Sequence, residues 1–331
     1  MTNRRMLLII IGVLATFTIV VVAGGLFIAR HLGRLAEGAL GGGIAHGAPL
    51  PTGDKIITEK QLTPLWVGYY RKNLKQAYDQ VGKRDPRWDR QATELMEATA
   101  KFACNAHGAP SMKDMLPMAR ALQKAGCDDP LIQSLIGDVL YFNDRSTEAE
   151  PIVRGSLEGL KARRYPALCL AWAYLDMARL HGEAGSKLES AEFKWRPLAI
   201  DAYVTAADAK NFGPQEQRPL WWEIRNLMEN EFRRSQATFV NTMKARPNTD
   251  PWLLRMVWTK HNYDYGWFYR GTGFISDVKP EDYKEFEKGM GFARGNAEKA
   301  YAAHPEYPEA CVYLMDIAKT GAVRGMDSDR T

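Results

Sequence analysis

The chain has 331 residues, of which 46% are hydrophobic and 25% charged, and its formal net charge is +5. Four of these charges are Arg4, Arg5, Arg30 and Arg34, and no acidic residue precedes Glu37, so residues 35–331 hold 40 basic residues (44 − 4) against 39 acidic ones. Because phosphate binding needs clustered positive charge, this balance argues against a nucleic acid as the main partner.

Residues 6–29 form an apolar run without a charged side chain, inside an anchor segment at 1–34. A helix of about 20 apolar residues crosses the hydrocarbon core of a bilayer, so the run predicts a single membrane-spanning signal-anchor. The alternative is a cleaved secretion signal, which has an apolar stretch of about 7 to 15 residues and a small-residue cleavage site. Because the charged stretch from Arg30 to Arg34 follows instead, we favour the anchor.

Two arginines lie near each end of the predicted span, so the excess of positive charge does not fix its orientation. A short amino-terminal tail with two arginines on a first span more often stays in the cytoplasm, and we therefore expect residues 35–331 outside it. Residues 35–60, rich in glycine and proline up to Asp54, predict a flexible tether of roughly 25 Å.

The remainder, 61–331, shows helical spacing of apolar residues and no sustained alternation of the kind that strands show. Helix starts are predicted wherever a capping side chain precedes proline, since the side chain binds a free amide and proline presets the first helical φ. These starts are Thr63-Pro64, Asp85-Pro86, Asp129-Pro130 and Asp250-Pro251, and Ser111 with Asp114 predicts a capping box. The predicted helices are 64–80, 86–104, 113–125, 130–142, 147–163, 166–180, 188–210, 215–232, 235–245, 251–268, 280–303 and 308–320.

This pattern predicts an all-α fold in which antiparallel helix pairs stack as a solenoid. Two segments resemble the tetratricopeptide repeat, in which small residues at fixed offsets let two helices approach closely. The first contains Ile136-Gly137, Leu140, Ala149, Val153 and Ser156, and the second contains Ala293, Ala297, Ala300 and Pro305. The resemblance implies a surface that binds other proteins.

The segment Cys127-Asp-Asp-Pro130, the helix that contains Gly137, and Tyr269-Arg-Gly-Thr-Gly273 also resemble an uncharacterised bacterial family of membrane-anchored helical-repeat proteins. This resemblance implies a fold rather than an activity. It also implies a further helix after Thr331, and hence a sequence that is truncated there.

Aromatic residues are unusually dense between Trp258 and Phe274. Rings with polar edges suit a groove for sugars or peptide side chains, and Tyr263, Trp267, Tyr269 and Arg270 are the candidate groove residues here. The alternative is core packing, with Trp258, Tyr265 and Phe268 facing the core at helical spacing. The Arg270-Gly-Thr-Gly273 stretch is read as the end of a helix rather than an anion site, because neither a P-loop lysine nor a dinucleotide fingerprint accompanies it.

A second cluster, Trp221-Trp222-Glu223, places a carboxylate beside two indoles. Desolvation by such neighbours raises a carboxyl pKa, which suits a general acid in glycan cleavage, provided that a second carboxylate lies within about 10 Å. These residues complete the candidate ligand or partner groove. No catalytic residue is assigned, because one glutamate beside tryptophan is weak evidence for catalysis.

The four cysteines show no Cys-x-x-Cys spacing, and the six histidines show no metal-binding spacing, so neither a metal nor another cofactor is expected. The cysteines are expected to be small core residues; they are Cys104, Cys127, Cys169 and Cys311. If the domain lies outside the cytoplasm, two disulfide bridges are also open, in any of three pairings.

Two functions from different classes remain: a membrane-anchored interaction scaffold, and a cell-envelope domain that binds or cleaves carbohydrate.

Overall fold

The computed structural model describes residues 59–185, 193–210, 212–273 and 275–322, and within these ranges the protein is all-helical with no strand. The α-helices are α1 Glu59–Arg71, α2 Ala77–Val81, α3 Asp89–Ala103, α4 Met112–Lys124, α5 Pro130–Tyr141, α6 Ser146–Ala162, α7 Ala167–Leu180, α8 Trp195–Asp208, α9 Pro214–Asn226, α10 Gln236–Lys244, α11 Pro251–Arg270, α12 Pro280–Ala303 and α13 Glu309–Thr320. Short π-helical segments, Lys72–Gln76 and Leu227–Glu231, follow α1 and α9, and 3-10 turns occupy Arg233–Ser235 and Ile275–Asp277.

The predicted span at 6–29 lies outside the described residues, as do the tether before residue 59 and the chain end from 323. Among the helices that are described, none combines the length and the apolar character needed to cross a bilayer.

Capping side chains begin several helices at the predicted positions. The carboxylate of Asp129 accepts hydrogen bonds from the amides of Leu131 and Ile132 at 3.0 and 3.2 Å, and Asp250 caps α11 in the same way. Ser111 and Asp114 form the predicted capping box at the start of α4. In these cases the side chain satisfies amides that the first helical turn leaves free.

Two predicted starts are wrong. Pro64 lies inside α1, which begins at Glu59, so Thr63 is not its cap. Pro64 is the sixth residue of α1 and lies beyond the first turn, so the helix forgoes one backbone hydrogen bond there. Asp85-Pro86 opens a turn instead, in which the Asp85 carbonyl accepts from the amides of Trp88 and Asp89, and α3 begins only at Asp89.

Consecutive helices pack as pairs, most extensively α5 with α6, α7 with α8, and α11 with α12. The short connection between α5, which ends at Tyr141, and α6, which begins at Ser146, makes this pair antiparallel. Gly137 permits the close approach of α5 and α6, since a methyl group in its place would lie 2.2 Å from a Val153 methyl carbon. Gly266 and Gly289 do the same for α11 and α12, because a Cβ on Gly289 would meet Gly266 Cα at 2.8 Å.

The aromatic run of α11 is oriented differently from the predicted core face. Phe268 is 62% exposed, and Trp258 and Tyr265 are only partly buried. The buried stripe of α11 passes instead through Trp252, Met256, Thr259 and Gly266. The prediction is confirmed for Trp258, which packs against the core, and fails for Tyr265 and Phe268. A helix with rings on every side gives no clear periodicity, and the close contact at Gly266 decides which side faces α12.

Candidate functional site

The candidate site is a groove of about 460 Å³ that is lined mainly by every second helix of the stack. Most of its side chains come from α1, α3, α5, α7 and α9 and from both π-helical segments, while α4 contributes Met112 and α8 contributes Tyr203. Such a volume lies within the range of roughly 300 to 1,000 Å³ that is usual for ligand sites. The lining residues are Tyr70, Leu74, Thr99, Phe102, Ala103, Met112, Leu131, Ser134, Leu135, Asp138, Phe142, Cys169, Trp172, Leu175, Asp176, Arg179, Tyr203, Trp222, Glu223, Asn226, Leu227, Asn230 and Glu231.

Glu223 lies deep in this groove, with 8% of the residue exposed. Its Oε1 accepts hydrogen bonds from the Tyr203 hydroxyl at 2.8 Å and from the Trp172 indole N–H, while the Tyr69 hydroxyl lies 3.5 Å from Oε2. Burial raises the pKa of Glu223 to about 7, although these three donors and the charge of Arg179 act in the opposite direction. Desolvation therefore outweighs the hydrogen bonds, and the carboxyl group titrates near neutral pH.

Two further carboxyl groups line the groove on adjacent helices, Asp138 on α5 and Asp176 on α7. Both lie near the same guanidinium nitrogen, Nη1 of Arg179, so the two carboxyl groups are close neighbours. Burial raises the pKa of both groups, and for Asp176 the charge of Asp138 raises it further. Both carboxyl groups are therefore protonated more readily than an exposed aspartate.

Arg179, one turn after Asp176, holds the acidic side of the groove together. Its Nη1 lies 3.2 Å from Asp176 and 3.7 Å from Asp138, and its Nη2 lies 2.9 Å from Glu231. The guanidinium also lies 5.3 Å from the centre of the Phe142 ring. Burial alone would lower the pKa of Arg179, but the surrounding carboxylates outweigh it and raise the pKa, so the guanidinium stays charged.

Both π-helical segments contribute to the groove. The segment Lys72–Gln76 supplies Leu74, and Leu227–Glu231 supplies Leu227, Asn230 and Glu231. A π-turn inserts one residue into a helix and redirects the side chains that follow, and such turns are frequent at functional sites. Here the second one directs Glu231 to Arg179.

Of the predicted cluster Trp221, Trp222 and Glu223, only the last two line the groove. Trp222 is 37% exposed and its ring stacks on Trp66 with centroids 5.1 Å apart. Trp221 is buried and contacts Tyr313 of α13, because successive residues of a helix point about 100° apart. The indole that binds Glu223 is Trp172, a residue 51 positions away in sequence, rather than either neighbour.

The other predicted groove residues, Tyr263, Trp267, Tyr269 and Arg270, lie elsewhere. Tyr263 packs edge to face on Tyr313, and Trp267 packs on Phe286, so both serve the core around α12 and α13. Tyr269 contacts Tyr265, with centroids 4.9 Å apart. The Arg270 guanidinium lies over Trp267 and donates to the carbonyls of Gly271 and Gly273. As predicted, this stretch ends a helix, with Gly271 at φ +66°.

Sequence reasoning missed Asp138, Trp172, Asp176, Arg179 and Tyr203. The signal that marks two of them is a single acid inside an apolar helix. Asp138 is the only charged residue of α5, and Asp176 is the only acid of α7. A carboxylate at such a position is costly to bury unless it has a partner or a function.

All four cysteines are free thiols, and Cys127 and Cys169 are buried in the core as expected. Within the described ranges, no group of three or more histidine, cysteine or acidic side chains is arranged to hold a metal ion. Comparison with known proteins gives no match to a family model, to a curated protein or to a solved structure.

Proposed function

We propose that the protein is a membrane-anchored, tetratricopeptide-like interaction scaffold whose groove binds a segment of a partner protein. The predicted span at 6–29 attaches it to the bilayer, and the predicted tether at 35–60 gives the domain reach. The helix pairs and the close approach at Gly137 support the resemblance to tetratricopeptide repeats. Partner recognition by the surface of such a stack is the common use of the architecture.

The observation that carries this proposal is the groove across α1, α3, α5, α7 and α9. Large aromatic side chains lie partly exposed on its lining, among them Phe102, Phe142 and Trp222, whereas Asp176 and Glu223 are buried beneath the surface. A concave, mainly apolar lining with a few buried polar groups is typical of a binding site. Solvent-exposed rings there gain free energy when a partner covers them.

Site-specific photocrosslinking in the full-length, membrane-bound protein tests this function. A benzophenone side chain replaces Phe102 or Trp222 in the groove, and Phe268 or Phe292 on exposed surfaces of α11 and α12 serves as the control. We expect one and the same protein to be captured from both groove positions and not from the two controls. Capture from the control positions alone would contradict the proposal.

A second candidate function, carbohydrate binding, is favoured by one observation. The stacked and partly exposed pair of Trp66 and Trp222 offers a flat apolar surface of the kind that sugar rings cover. Cleavage is less well supported, because Oε1 of Glu223 already accepts two hydrogen bonds from Tyr203 and Trp172. Glycan-array binding that disappears in Trp222→Ala and persists in Phe268→Ala would favour this candidate over the scaffold.

A further inference from the structure

The groove is acidic although the domain around it is nearly neutral. Its described lining contains four acidic residues, Asp138, Asp176, Glu223 and Glu231, against one basic residue, Arg179. Over residues 35–331 the corresponding numbers are 39 and 40. The negative charge is therefore a local property of this groove.

Arg179 offers little to an anionic ligand. Its guanidinium is shared among Glu231, Asp176 and Asp138 at 2.9, 3.2 and 3.7 Å, and it lies against the Phe142 ring. A ligand carboxylate or phosphate would have to displace one of these acids and would meet the others at close range. The groove thus selects against anions.

One guanidinium does not neutralise the acids that surround it. The charged and titratable groups around the Asp138–Asp176 pair are Arg179 on α7, Glu231 after α9, Glu223 on α9 and Tyr203 on α8. Oδ1 of Asp138 is shielded from solvent and accepts no hydrogen bond from any amide, guanidinium or hydroxyl group of the described residues. Burial raises the pKa of Asp138, Asp176 and Glu223, so these carboxyl groups favour the protonated form as long as no further cation is bound.

A second feature of the lining favours a cation that is carried on an apolar stem. Phe102, Phe142 and Trp222 are partly exposed on the lining, while only 5% of Asp176 is exposed. A lysine or arginine side chain matches this order, because its methylene stem packs on apolar groups and its charged end reaches the acids. The aromatic rings already accept guanidinium groups, as Arg225 lies 5.3 Å from the centre of the Trp222 ring.

We propose that the groove recognises a lysine or arginine side chain of the bound segment, whose cationic end is received by Asp138, Asp176 and Glu223. This inference rests on the proposed binding of a partner segment and specifies its chemistry. When the cation arrives, it takes the place of a proton, which leaves to the solvent as the carboxyl group ionises. Binding is therefore linked to proton release, and affinity rises with pH near neutrality.

The test uses the full chain in detergent micelles, labelled with 5-fluorotryptophan, and observes the Trp172 resonance after assigning it with Trp172→Phe. Four capped amino acids serve as probes: the N-acetyl methylamides of lysine, arginine, norleucine and glutamate. Norleucine is the matched control, because it has the apolar stem of lysine without the charge. We expect lysine and arginine to bind at least tenfold more tightly than norleucine, and glutamate to bind more weakly than norleucine.

Two further measurements separate a charge effect from general packing. Between pH 6 and pH 8 the affinity for lysine should rise about tenfold while that for norleucine stays constant. Asp176→Asn should weaken lysine binding at least tenfold. Asp128→Asn removes an exposed acid that pairs with Lys83 and does not line the groove, so it should leave the lysine affinity unchanged. Asparagine resembles the protonated form of Asp176, so this variant is expected to fold.

Equal binding of lysine and norleucine, tighter binding of glutamate, or no effect of any probe on Trp172 would overturn this inference. Each of these results leaves the crosslinking test of partner binding intact, because that test does not depend on the charge of the partner. Conversely, a groove that selects lysine but captures no partner would leave the cation site standing and would remove the scaffold function.

Discussion

The Tyr203 hydroxyl donates a 2.8 Å hydrogen bond to Oε1 of Glu223 and thereby joins α8 to α9 beneath the groove. The carboxyl group that it reaches is buried, and its pKa is raised to about 7. A residue that helps to hold the helices together is thus also one whose charge changes near physiological pH. This combination makes the stability of the protein sensitive to pH in a way that a single substitution can reveal.

Replacing Glu223 with glutamine should reduce this pH sensitivity. Because the pKa is raised in the folded state, the folded protein binds more protons than the unfolded chain between about pH 4.5 and pH 7, and stability falls as pH rises through that window. Glutamine keeps a hydrogen-bond acceptor but never ionises. As the pH rises from 5 to 8, the free energy of unfolding of Glu223→Gln should therefore increase by about 2 kcal/mol relative to that of the wild type.

Urea unfolding of both proteins at several pH values measures this difference. Glu94→Gln, which removes an exposed carboxylate on α3, is the control and should follow the wild-type curve. If the free energy of unfolding depends on pH in Glu223→Gln as it does in the wild type, the raised pKa of Glu223 is contradicted.

Asp129 should be the most sensitive capping residue of the stack. It is fully buried, and besides capping α5 it accepts hydrogen bonds from the Lys83 amide at 2.7 Å and the Tyr165 hydroxyl at 2.9 Å. Asp129→Ala removes a cap and leaves two other donors without an acceptor, so it should lower the free energy of unfolding by about 3 kcal/mol.

The adjacent Asp128 is the control. It makes only an exposed ion pair with Lys83, so Asp128→Ala should change the free energy of unfolding by less than about 0.5 kcal/mol. Equal costs for the two variants would show that the Asp129 contacts do not stabilise the fold.

The crossing of α11 and α12 predicts opposite effects for two glycines on one helix. A Cβ on Gly289 would lie 2.8 Å from the backbone of Gly266, so Gly289→Ala must push the helices apart and should cost about 2 kcal/mol or more. A Cβ on Gly295 meets nothing within 4 Å, and Gly295→Ala should stabilise α12 by up to about 1 kcal/mol. Thermal unfolding followed by circular dichroism distinguishes the two, and a stabilising Gly289→Ala would contradict the close crossing.

The cysteines should react slowly in the folded protein. Burial raises the pKa of Cys104, Cys127 and Cys169 to about 12, so little reactive thiolate exists at pH 8. Mass spectrometry after iodoacetamide treatment should show slow modification at these three sites under native conditions. Without reductant, complete modification of all four cysteines should follow in denaturant, whereas a pair that resists alkylation until reduction would reveal a disulfide.

Local sequence patterns predicted the fold class and the positions of most helices. Caps such as Asp129, Asp250 and Ser111 act within one turn of the chain, so the sequence contains the whole interaction. The predicted helix starts at Thr63 and Asp85 are wrong because a helix start also depends on packing, which a dipeptide does not reveal.

The groove was predictable only in part. Trp222 and Glu223 were candidates because adjacent rings and acids are visible in sequence, and the raised pKa of Glu223 agrees with that reasoning in direction. Its actual partners, Trp172 and Tyr203, come from other helices, and single-sequence periodicity does not show which helices meet. The dense rings of α11 were misleading because aromatic content alone does not distinguish a groove from a core.

The role of the groove in partner binding is tested most directly by the affinity of the crosslinked partner segment, prepared as a peptide, for the full-length wild type, Trp222→Ala and Phe268→Ala. We expect Trp222→Ala to bind at least tenfold more weakly than the wild type, which corresponds to about 1.4 kcal/mol, and Phe268→Ala to bind as the wild type does. Loss of affinity in Phe268→Ala with full binding by Trp222→Ala would contradict the assignment of the groove as the binding site.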